Sequence, residues 1–252
     1  MRMKSIFRHE TILFLVVIVA LVILSIQAEQ FATIDNLLNQ GRFLTEVSLV
    51  ALIMTFVIVT GGIDLSVGSI LGLSAIVLGV AWKKLGLPLP LAILVAVSVG
   101  TLAGLFNGII LTRFKVPPLI ATLATLALYR GLAEGISQAR SIRGYPEWFF
   151  ILGQGEFFGI PTQLWIVAFF TLLTGFILTY TTWGRATYAI GANETAARFS
   201  GIAVDKTKLF IYAASGFAAS LAAIIFVSRV STTRSDMGMG LELDAITAVV
   251  LG

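Results

Sequence analysis

Seven polar side chains that could contact a solute lie within or beside long apolar stretches of this sequence. They are Asp64, Ser66, Asn107, Thr122, Thr125, Tyr129 and Arg130. Thr122, Thr125 and Tyr129 lie at positions i, i+3 and i+7 and therefore share one helical face. Hydroxyl and amide groups without a central charge suit an uncharged polyol better than an ion. Two other interpretations stay open, because threonine often bonds the carbonyl of its own preceding turn and Asn107 is equally suited to bridging two helices.

The residues and motifs of several common enzymatic sites are absent from the sequence. It has no cysteine, which excludes disulfides, thiolate metal sites and a cysteine nucleophile. Its one histidine, His9, lies in the polar N-terminal segment, so histidine zinc sites and a Ser-His-Asp triad are excluded too. No H-E-x-x-H, G-x-S-x-G or G-x-x-x-x-G-K-[ST] occurs. We therefore predict no catalytic residues, no metal site and no bound cofactor.

The composition indicates an integral membrane protein. Of its 252 residues, 58% are hydrophobic and 12% are charged, and the mean hydropathy is +0.98. Average soluble domains carry about 25% charged residues, so a soluble enzyme and a nucleic-acid-binding protein are both disfavoured. The net charge of +4 indicates orientation in a membrane more than a polyanionic partner.

Apolar runs of about 18 residues or more predict transmembrane helices. The predicted spans are Thr11–Ala28, Val47–Ile63, Leu65–Trp82, Leu85–Thr112, Val116–Tyr129, Phe157–Gly184 and Leu209–Ser228. The span Val116–Tyr129 requires Arg130 to snorkel at its outer end. A last apolar stretch from Leu243 is too short to cross about 30 Å of hydrocarbon, so it is either the start of another span or an interfacial stub. We predict an all-α polytopic helix bundle in a single domain, residues 1–252, with about seven full spans and a truncated C-terminus.

Basic residues predict the orientation of these spans. MRMKSIFRHE and the following apolar run have the layout of a signal peptide, but no clear A-x-A-like cleavage site follows, so an uncleaved first span is favoured. With the N-terminus inside, the inner segments hold Arg2, Lys4, Arg8, Arg113, Lys115, Arg185, Arg198, Lys206 and Lys208. The outer segments hold Arg42, Lys83, Lys84, Arg140, Arg143 and Arg234. This bias predicts a cytoplasmic N-terminus.

Two loops are long enough to be functional. Residues 135–160 are predicted to be external, and residues 183–208 to be cytoplasmic. A helical second loop would have an apolar face formed by Ala192, Ala196, Ala197, Phe199 and Ile202. Three roles remain open for that face: contact with lipid headgroups, packing against the bundle, or docking of a soluble partner.

A helix break is predicted between the second and third spans. One helix over Val47–Trp82 would be about 54 Å long, so the chain must turn, and Gly61-Gly62 with Asp64 or Ser66 as a cap is the expected place. The break is either a tight cytoplasmic turn or a discontinuous helix whose polar ends line a pathway.

Glycines spaced four apart predict close helix packing. These GxxxG pairs are Gly68 with Gly72, Gly100 with Gly104 and Gly108, and Gly131 with Gly135.

Several long strings resemble one transporter family, in the family's order and over most of the chain. GRATYAIGANETAARFSGIAVDKTKLFIYAASGFAASLAAIIF resembles the cytoplasmic loop and following helix of bacterial sugar-importing ABC permeases of the ribose, rhamnose and autoinducer-2 type. TGGIDLSVGSILGLSA and LAGLFNGIILTRFKVPPLIATLATLALYRG resemble their second and third signatures. GLELDAITAVVLG resembles the start of a fourth.

This resemblance implies the permease subunit of an ATP-binding-cassette importer in the bacterial inner membrane, carrying a monosaccharide or similar small polyol. It also implies a cytoplasmic ATPase subunit that binds ATP and Mg, a second permease subunit, and a periplasmic or lipid-anchored sugar-binding protein. The alternative is an ion-coupled secondary transporter of a small neutral solute, which would be expected to hold an ionisable group deep in a span, and Asp64 is the candidate.

The resemblance also implies that the cytoplasmic loop docks the ATPase. The residues expected to couple the two subunits are Gly184, Arg185, Gly191, Asn193, Glu194, Ala197, Arg198 and Gly201. Asn193 is the expected N-cap of a short helix, and Glu194 and Arg198 are spaced for a helical ion pair.

Overall fold

The computed structural model describes residues 3–251, and these are mostly helical. Met1, Arg2 and Gly252, which belong to the predicted domain 1–252, lie outside the described residues. The helices are α1 (Met3–Gln27), α2 (Ile34–Val59), α3 (Val67–Gly79), α4 (Leu89–Arg113), α5 (Pro118–Ser137), α6 (Ile151–Gln154), α7 (Thr162–Tyr180), α8 (Thr182–Ala192), α9 (Glu194–Phe199), α10 (Val204–Val230) and α11 (Leu241–Leu251). A π-helical turn, Val80–Lys84, extends α3, and a 3-10 turn, Glu147–Phe150, precedes α6.

Six helical segments of the described chain are long and apolar enough to cross a membrane. They are Ile34–Val59, Val67–Lys84, Leu89–Arg113, Pro118–Ser137, Thr162–Tyr180 and Val204–Val230, and Thr11–Gln27 is a shorter apolar segment. The all-α polytopic membrane fold is therefore confirmed. The count of seven spans and the truncated C-terminus stay predictions.

Contacts divide the chain into two units, residues 1–43 and residues 44–252. In the first unit, α1 and the start of α2 are separated by a turn, where the Asn36 side chain donates to the Phe31 carbonyl at 2.9 Å. In the second unit, α3 is the most buried helix. Helices α4, α5 and α10 pack around it and place the functional residues.

Glycines bring α4 and α10 together. A Cβ at Gly104 would meet the Tyr212 carbonyl oxygen and lie 2.8 Å from the Gly216 nitrogen, and one at Gly100 would lie 2.9 Å from the Gly216 carbonyl oxygen. Gly108 continues the same contact along Leu209. In contrast, a Cβ at Gly131 or Gly135 would meet nothing within 4 Å among the described residues, so this predicted packing motif brings no other helix of the described part close.

Four two-residue strands lie at the end of the bundle opposite the loop 183–208. They are β1 (Ile142–Arg143), β2 (Glu156–Phe157), β3 (Ile160–Pro161) and β4 (Thr232–Thr233). β1 pairs with β4 and β2 with β3, both antiparallel. The first pair joins the loop 135–160 to the C-terminal end of α10.

Residues 231–240, which we call the return segment, run back along α3 after α10 ends. Thr233 lies beside Gly79, the Met237 carbonyl beside Gly72, and the Gly238 carbonyl beside Gly68. Gly68 and Gly72 therefore accommodate this non-helical backbone. Helix α11 begins where the segment reaches the start of α3.

Candidate functional site

The break between α2 and α3 forms at the predicted glycines. Helix α2 ends at Val59, and Gly61 has a φ of +76°, which glycine adopts at little cost. The Asp64 carboxylate then accepts hydrogen bonds from the Ser66 backbone nitrogen at 3.0 Å and the Ser66 hydroxyl at 2.6 Å. Ser66 occupies the N-cap position of α3, but its hydroxyl caps no helical nitrogen. Asp64 therefore shapes the turn, as an aspartate does in an Asx-turn.

Five buried polar residues, which we call the Asp64 cluster, meet at this break. The members are Asp64, Ser66, Asn107, Tyr129 and Ser215. Ser215 donates to the second carboxylate oxygen of Asp64 at 2.8 Å, and the Asn107 amide donates to the Ser66 hydroxyl at 2.7 Å. The Tyr129 hydroxyl lies 3.1 Å from the Asn107 side-chain oxygen. Burial of a carboxylate is tolerated because its oxygens receive these donors.

Sequence reasoning found four members of the cluster and missed Ser215. Serine is common in apolar helices, where its hydroxyl usually bonds its own preceding turn. Nothing in the string YAASGFAAS separates Ser215, which reaches across to Asp64, from Ser220, which bonds the Phe217 carbonyl of its own helix.

The two threonines predicted on the same face are buried beside the cluster. The Thr122 hydroxyl lies 2.9 Å from the carbonyl oxygen of Pro118, four residues earlier, and 3.2 Å from that of Ile63. Thr125 bonds the Thr122 carbonyl at 3.3 Å. In this conformation both hydroxyls therefore bond backbone carbonyls. This corresponds to the alternative in which threonine bonds the carbonyl of its own preceding turn.

Arg130 does not close the end of its helix, because α5 continues for almost two further turns to Ser137. Its guanidinium donates to three carbonyl oxygens instead: those of Ser235, Met237 at 3.0 Å and Gly68 at 3.3 Å. Snorkelling was expected because an arginine at an apolar boundary reaches for water. Here carbonyls of the return segment and of the first turn of α3 accept its hydrogen bonds inside the bundle.

A pocket of about 190 Å³ lies below the break, facing the loop 183–208. Its wall includes Thr60, Gly62, Lys115, Glu194, Lys208 and Tyr212. The buried Tyr212 hydroxyl has no hydrogen-bond partner among the described residues, and it lies 2.7 Å from where a Cβ of Gly62 would be.

Two short helices, α8 and α9, form most of the loop 183–208, and side-chain oxygens start both. Thr181 accepts from the Gly184 nitrogen at 3.2 Å, and Asn193 accepts from the Ala196 nitrogen at 2.9 Å, so Asn193 is the N-cap that the sequence predicts. Gly184 lies tight against the Leu178 carbonyl, and Gly201 has a φ of +83°.

Gly191 connects this loop to the helix break. A Cβ there would collide with the carbonyl oxygen of Val59, the last residue of α2. The loop is thus packed against the start of the break, and Gly191 is required for that close approach.

Ion pairs connect α9 to the first turns of α10. Glu194 pairs with Arg198 at 2.9 Å and with Lys208 at 2.5 Å, and Arg198 reaches Asp205 at 2.5 Å. Lys115, from the turn between α4 and α5, also pairs with Asp205 at 3.1 Å. The hydrogen bond from Lys208, aided by Arg198, lowers the pKa of Glu194, and the bonds to Asp205 and Glu194 raise the pKa of Arg198.

The predicted apolar face of this loop is divided between two surroundings. Ala197 is buried with Ile190 and Val204, and Ile202 packs against them, so these residues form a small core of their own within the loop and at the start of α10. The exposed loop face consists of Tyr188, Ala192, Ala196 and Phe199. Phe199 is 89% exposed, and Arg185, in α8 of the same loop, is also exposed.

At the opposite end, α10 is fixed to the loop 135–160. The Ser228 hydroxyl donates to the Phe149 carbonyl at 2.5 Å, and Gly153 lies against the Arg229 nitrogen. Arg229 also pairs with the buried Glu46 of α2 at 2.9 Å. Glu46 and Arg229 were missed because each lies at a predicted span boundary, where a charge is expected to face water.

A bundle of apolar helices with a buried polar break and a structured loop packed beneath it is typical of polytopic membrane transport proteins. Among the described residues, no group of three or more acidic or histidine side chains is placed to hold a metal ion.

Comparison with known proteins gives the family. The family described as "Branched-chain amino acid transport system / permease component" matches residues 34–252. The ribose import permease protein RbsC of Haemophilus influenzae is 40% identical over 95% of this chain and 75% of its own length. RbsC of Bacillus subtilis is 41% identical over 95% and 74%. The autoinducer 2 import system permease protein LsrC of an Enterobacter species is 39% identical over 81% and 59%. No solved structure matches.

The chain belongs to this family of permease components, and it is a multi-pass inner-membrane permease subunit of an ATP-binding-cassette importer, not an enzyme. Such an importer works with a separate ATPase subunit and a substrate-binding protein. The ion-coupled secondary transporter is therefore not favoured.

Proposed function

We propose that this subunit forms the pathway by which a monosaccharide or a similar small polyol enters the cell. The observation that carries this proposal is the 40% identity to a ribose import permease over 95% of the chain. The autoinducer 2 permeases among the relatives extend the substrate class to small polyols. The hydroxyl and amide groups beside the break are consistent with an uncharged, hydroxylated solute.

The proposal includes an arrangement of subunits. The N-terminus and the loop 183–208 face the cytoplasm, where a partner ATPase binds ATP and Mg, while this chain binds neither. Two permease subunits, identical or different, enclose the pathway. A periplasmic or lipid-anchored binding protein delivers the sugar at the side of the loop 135–160.

In this proposal, the loop 183–208 docks the ATPase through its exposed loop face. Gly184, Gly191, Asn193, Ala197 and Gly201 shape the loop, since each lies in a tight turn, a cap or an inward contact. Glu194 and Arg198 fix α9 to α10 by ion pairs. Phe199 is the side chain best placed to enter a groove on the partner, because an exposed aromatic residue gains much apolar burial on docking.

For the pathway, the seven polar residues predicted to contact solute stay candidates. Six of them are buried, and they are engaged with each other or with backbone. Solute would reach them only in a conformation that opens the bundle beside the break.

The docking proposal is tested by Phe199→Ala in the complete transporter. We expect the amount of ATPase that co-purifies with the permease to fall about tenfold or more, since truncating an aromatic anchor costs on the order of 2 kcal/mol. Sugar uptake should fall with it, while membrane abundance stays normal because the Phe199 side chain supports no core contact.

The matched control is Phe158→Ala, which removes a phenylalanine that is 84% exposed in the loop 135–160. This variant should retain the ATPase in full. Equal co-purification from both variants would place the docking surface elsewhere.

A further inference from the structure

Helix α10 connects the ATPase-side loop to the Asp64 cluster. Its first turns carry Asp205 and Lys208, which pair with Arg198 and Glu194 of α9. Seven residues further, about 10 Å along the helix axis, Ser215 donates its hydrogen bond to Asp64. A displacement of α9 therefore acts on α10 at one end, and α10 acts directly on the break.

The break is held from two sides by a pair of helices that cannot separate easily. Gly216 of α10 lies against Gly100 and Gly104 of α4 at backbone distance, so the two helices move as one body. From α4, Asn107 donates to Ser66, and from α10, Ser215 donates to Asp64. Both contacts are buried, where a hydrogen bond is not weakened by competing water.

Of these two hydrogen bonds, the one between Ser215 and Asp64 involves a carboxylate. Hydrogen bonds to charged groups contribute more than neutral ones. Asp64 in turn sets the turn geometry through two bonds to Ser66, at the first turn of α3. Moving Ser215 along the helix axis would therefore pull Asp64 and, with it, the N-terminal end of α3.

We infer that Ser215 is a positioning residue, whose hydrogen bond to Asp64 transmits movement of the ATPase-side loop to the broken helix between α2 and α3. The inference rests on the proposed docking of that loop. Ser215 touches no solute in this role. Its hydroxyl keeps the break attached to the helix that the ATPase moves, and Tyr212, one turn earlier, supports the same side through its contact with Gly62.

The test is Ser215→Ala in the complete transporter, reconstituted with its ATPase and binding protein. We expect the sugar transported per ATP hydrolysed to fall roughly tenfold, the effect of losing a buried hydrogen bond to a charged group. ATPase co-purification should stay close to that of the unmodified protein, while thermal stability in detergent should fall because a buried carboxylate oxygen loses its donor. A purely structural role would lower stability and leave the transport-to-hydrolysis ratio unchanged, and that result would overturn the inference.

Ser220→Ala is the matched control, because Ser220 is buried on the same helix and bonds only the Phe217 carbonyl of its own turn. Its transport-to-hydrolysis ratio should be normal. If Ser215→Ala fails to accumulate, the pair Ser215→Thr and Ser215→Val decides, since these side chains have similar shape and differ in the hydroxyl. A higher ratio in the threonine variant supports the inference, and equal ratios contradict it.

The outcome separates this inference from the docking proposal. If Phe199→Ala loses the ATPase while Ser215→Ala transports normally, docking stands and transmission through Ser215 fails. If Phe199→Ala retains the ATPase, the docking proposal is contradicted, whatever the result for Ser215→Ala.

Discussion

Some individual side chains in this bundle satisfy backbone that is not helical. Arg130 is the clearest case, because the return segment 231–240 enters the bundle without the hydrogen bonds of a helix. Unsatisfied carbonyls are costly where water is absent. The guanidinium has five donors in a fixed fork, and it supplies them to Ser235, Met237 and Gly68.

We predict that Arg130→Met destabilises the protein by roughly 1–3 kcal/mol, the cost of leaving buried acceptors unpaired. Thermal unfolding in detergent measures this, and protease cleavage within the return segment should become faster. Arg130→Lys should be intermediate, because an ammonium is a point charge without the planar fork.

Arg234→Met is the control for Arg130, since Arg234 makes an exposed ion pair with Asp236. Its loss should leave thermal unfolding close to that of the unmodified protein, because an exposed ion pair contributes little to stability. If both variants melt alike, the carbonyls of the return segment do not depend on Arg130.

Residue types alone could predict which polar groups matter but not what they contact. Asn107 and Tyr129 were identifiable because an amide and a phenol in an apolar run require partners. That Ser66 is the partner of Asn107, and Ser215 the partner of Asp64, depends on which helices are neighbours. That information lies in tertiary packing, over sequence separations of 41 and 151 residues.

At the scale of elements, the contact between α4 and α10 organises the bundle. Interfaces between membrane helices rely on close backbone approach, because lipid provides no hydrophobic drive for association. The GxxxG series of α4 could be read from the sequence. Its partner Gly216 could not, because it belongs to no GxxxG pair and a single glycine in a helix carries no period.

We predict that Gly216→Ala lowers the free energy of unfolding by about 1–3 kcal/mol, as overpacking of a close contact does. The added methyl would lie against the Gly100 carbonyl oxygen and 2.8 Å from the Gly104 nitrogen. Unfolding in detergent measures the change, and transport should fall because the helix pair that holds the break is separated.

Gly175→Ala in α7 is the comparison, because a Cβ there meets nothing within 4 Å among the described residues. Alanine favours helix over glycine by about 1 kcal/mol, so this variant should be neutral or slightly more stable. A loss at Gly175 as large as that at Gly216 would mean that glycine-to-alanine changes destabilise these helices wherever they occur, so the loss at Gly216 would not report the α4–α10 contact.

Helix existence and the position of the break follow from hydropathy and from Gly61-Gly62, and both were predictable. The boundaries of the helices were less predictable. The prediction ended the fifth span at Tyr129 because Arg130 interrupts the apolar run, whereas α5 continues to Ser137. The return segment was not foreseen, because its polar sequence STTRSDMGMG resembles an ordinary surface loop, and its contacts with Gly68, Gly72 and Arg130 depend on tertiary packing.

At the scale of the whole molecule, α10 reaches both functional ends. Its N-terminal turns hold α9 through ion pairs, and its C-terminal turn holds the loop 135–160 through Ser228 and Arg229. If the ATPase and the binding protein dock at these two ends, one helix contacts both docking regions and passes the break between them. This arrangement requires that the two loops face opposite sides of the membrane.

Cysteine labelling tests that requirement directly, because the chain has no native cysteine. Phe158 and Thr195 are exposed in the two loops, and Ala75 is buried in α3. We predict that a membrane-impermeant maleimide labels Phe158→Cys in intact cells and labels Thr195→Cys only after the membrane is permeabilised. Ala75→Cys should stay unlabelled in both conditions and so reports background. Labelling of Thr195→Cys from outside, with protection of Phe158→Cys, would reverse the orientation and place Phe199 on the side of the membrane where no cytoplasmic ATPase can reach it.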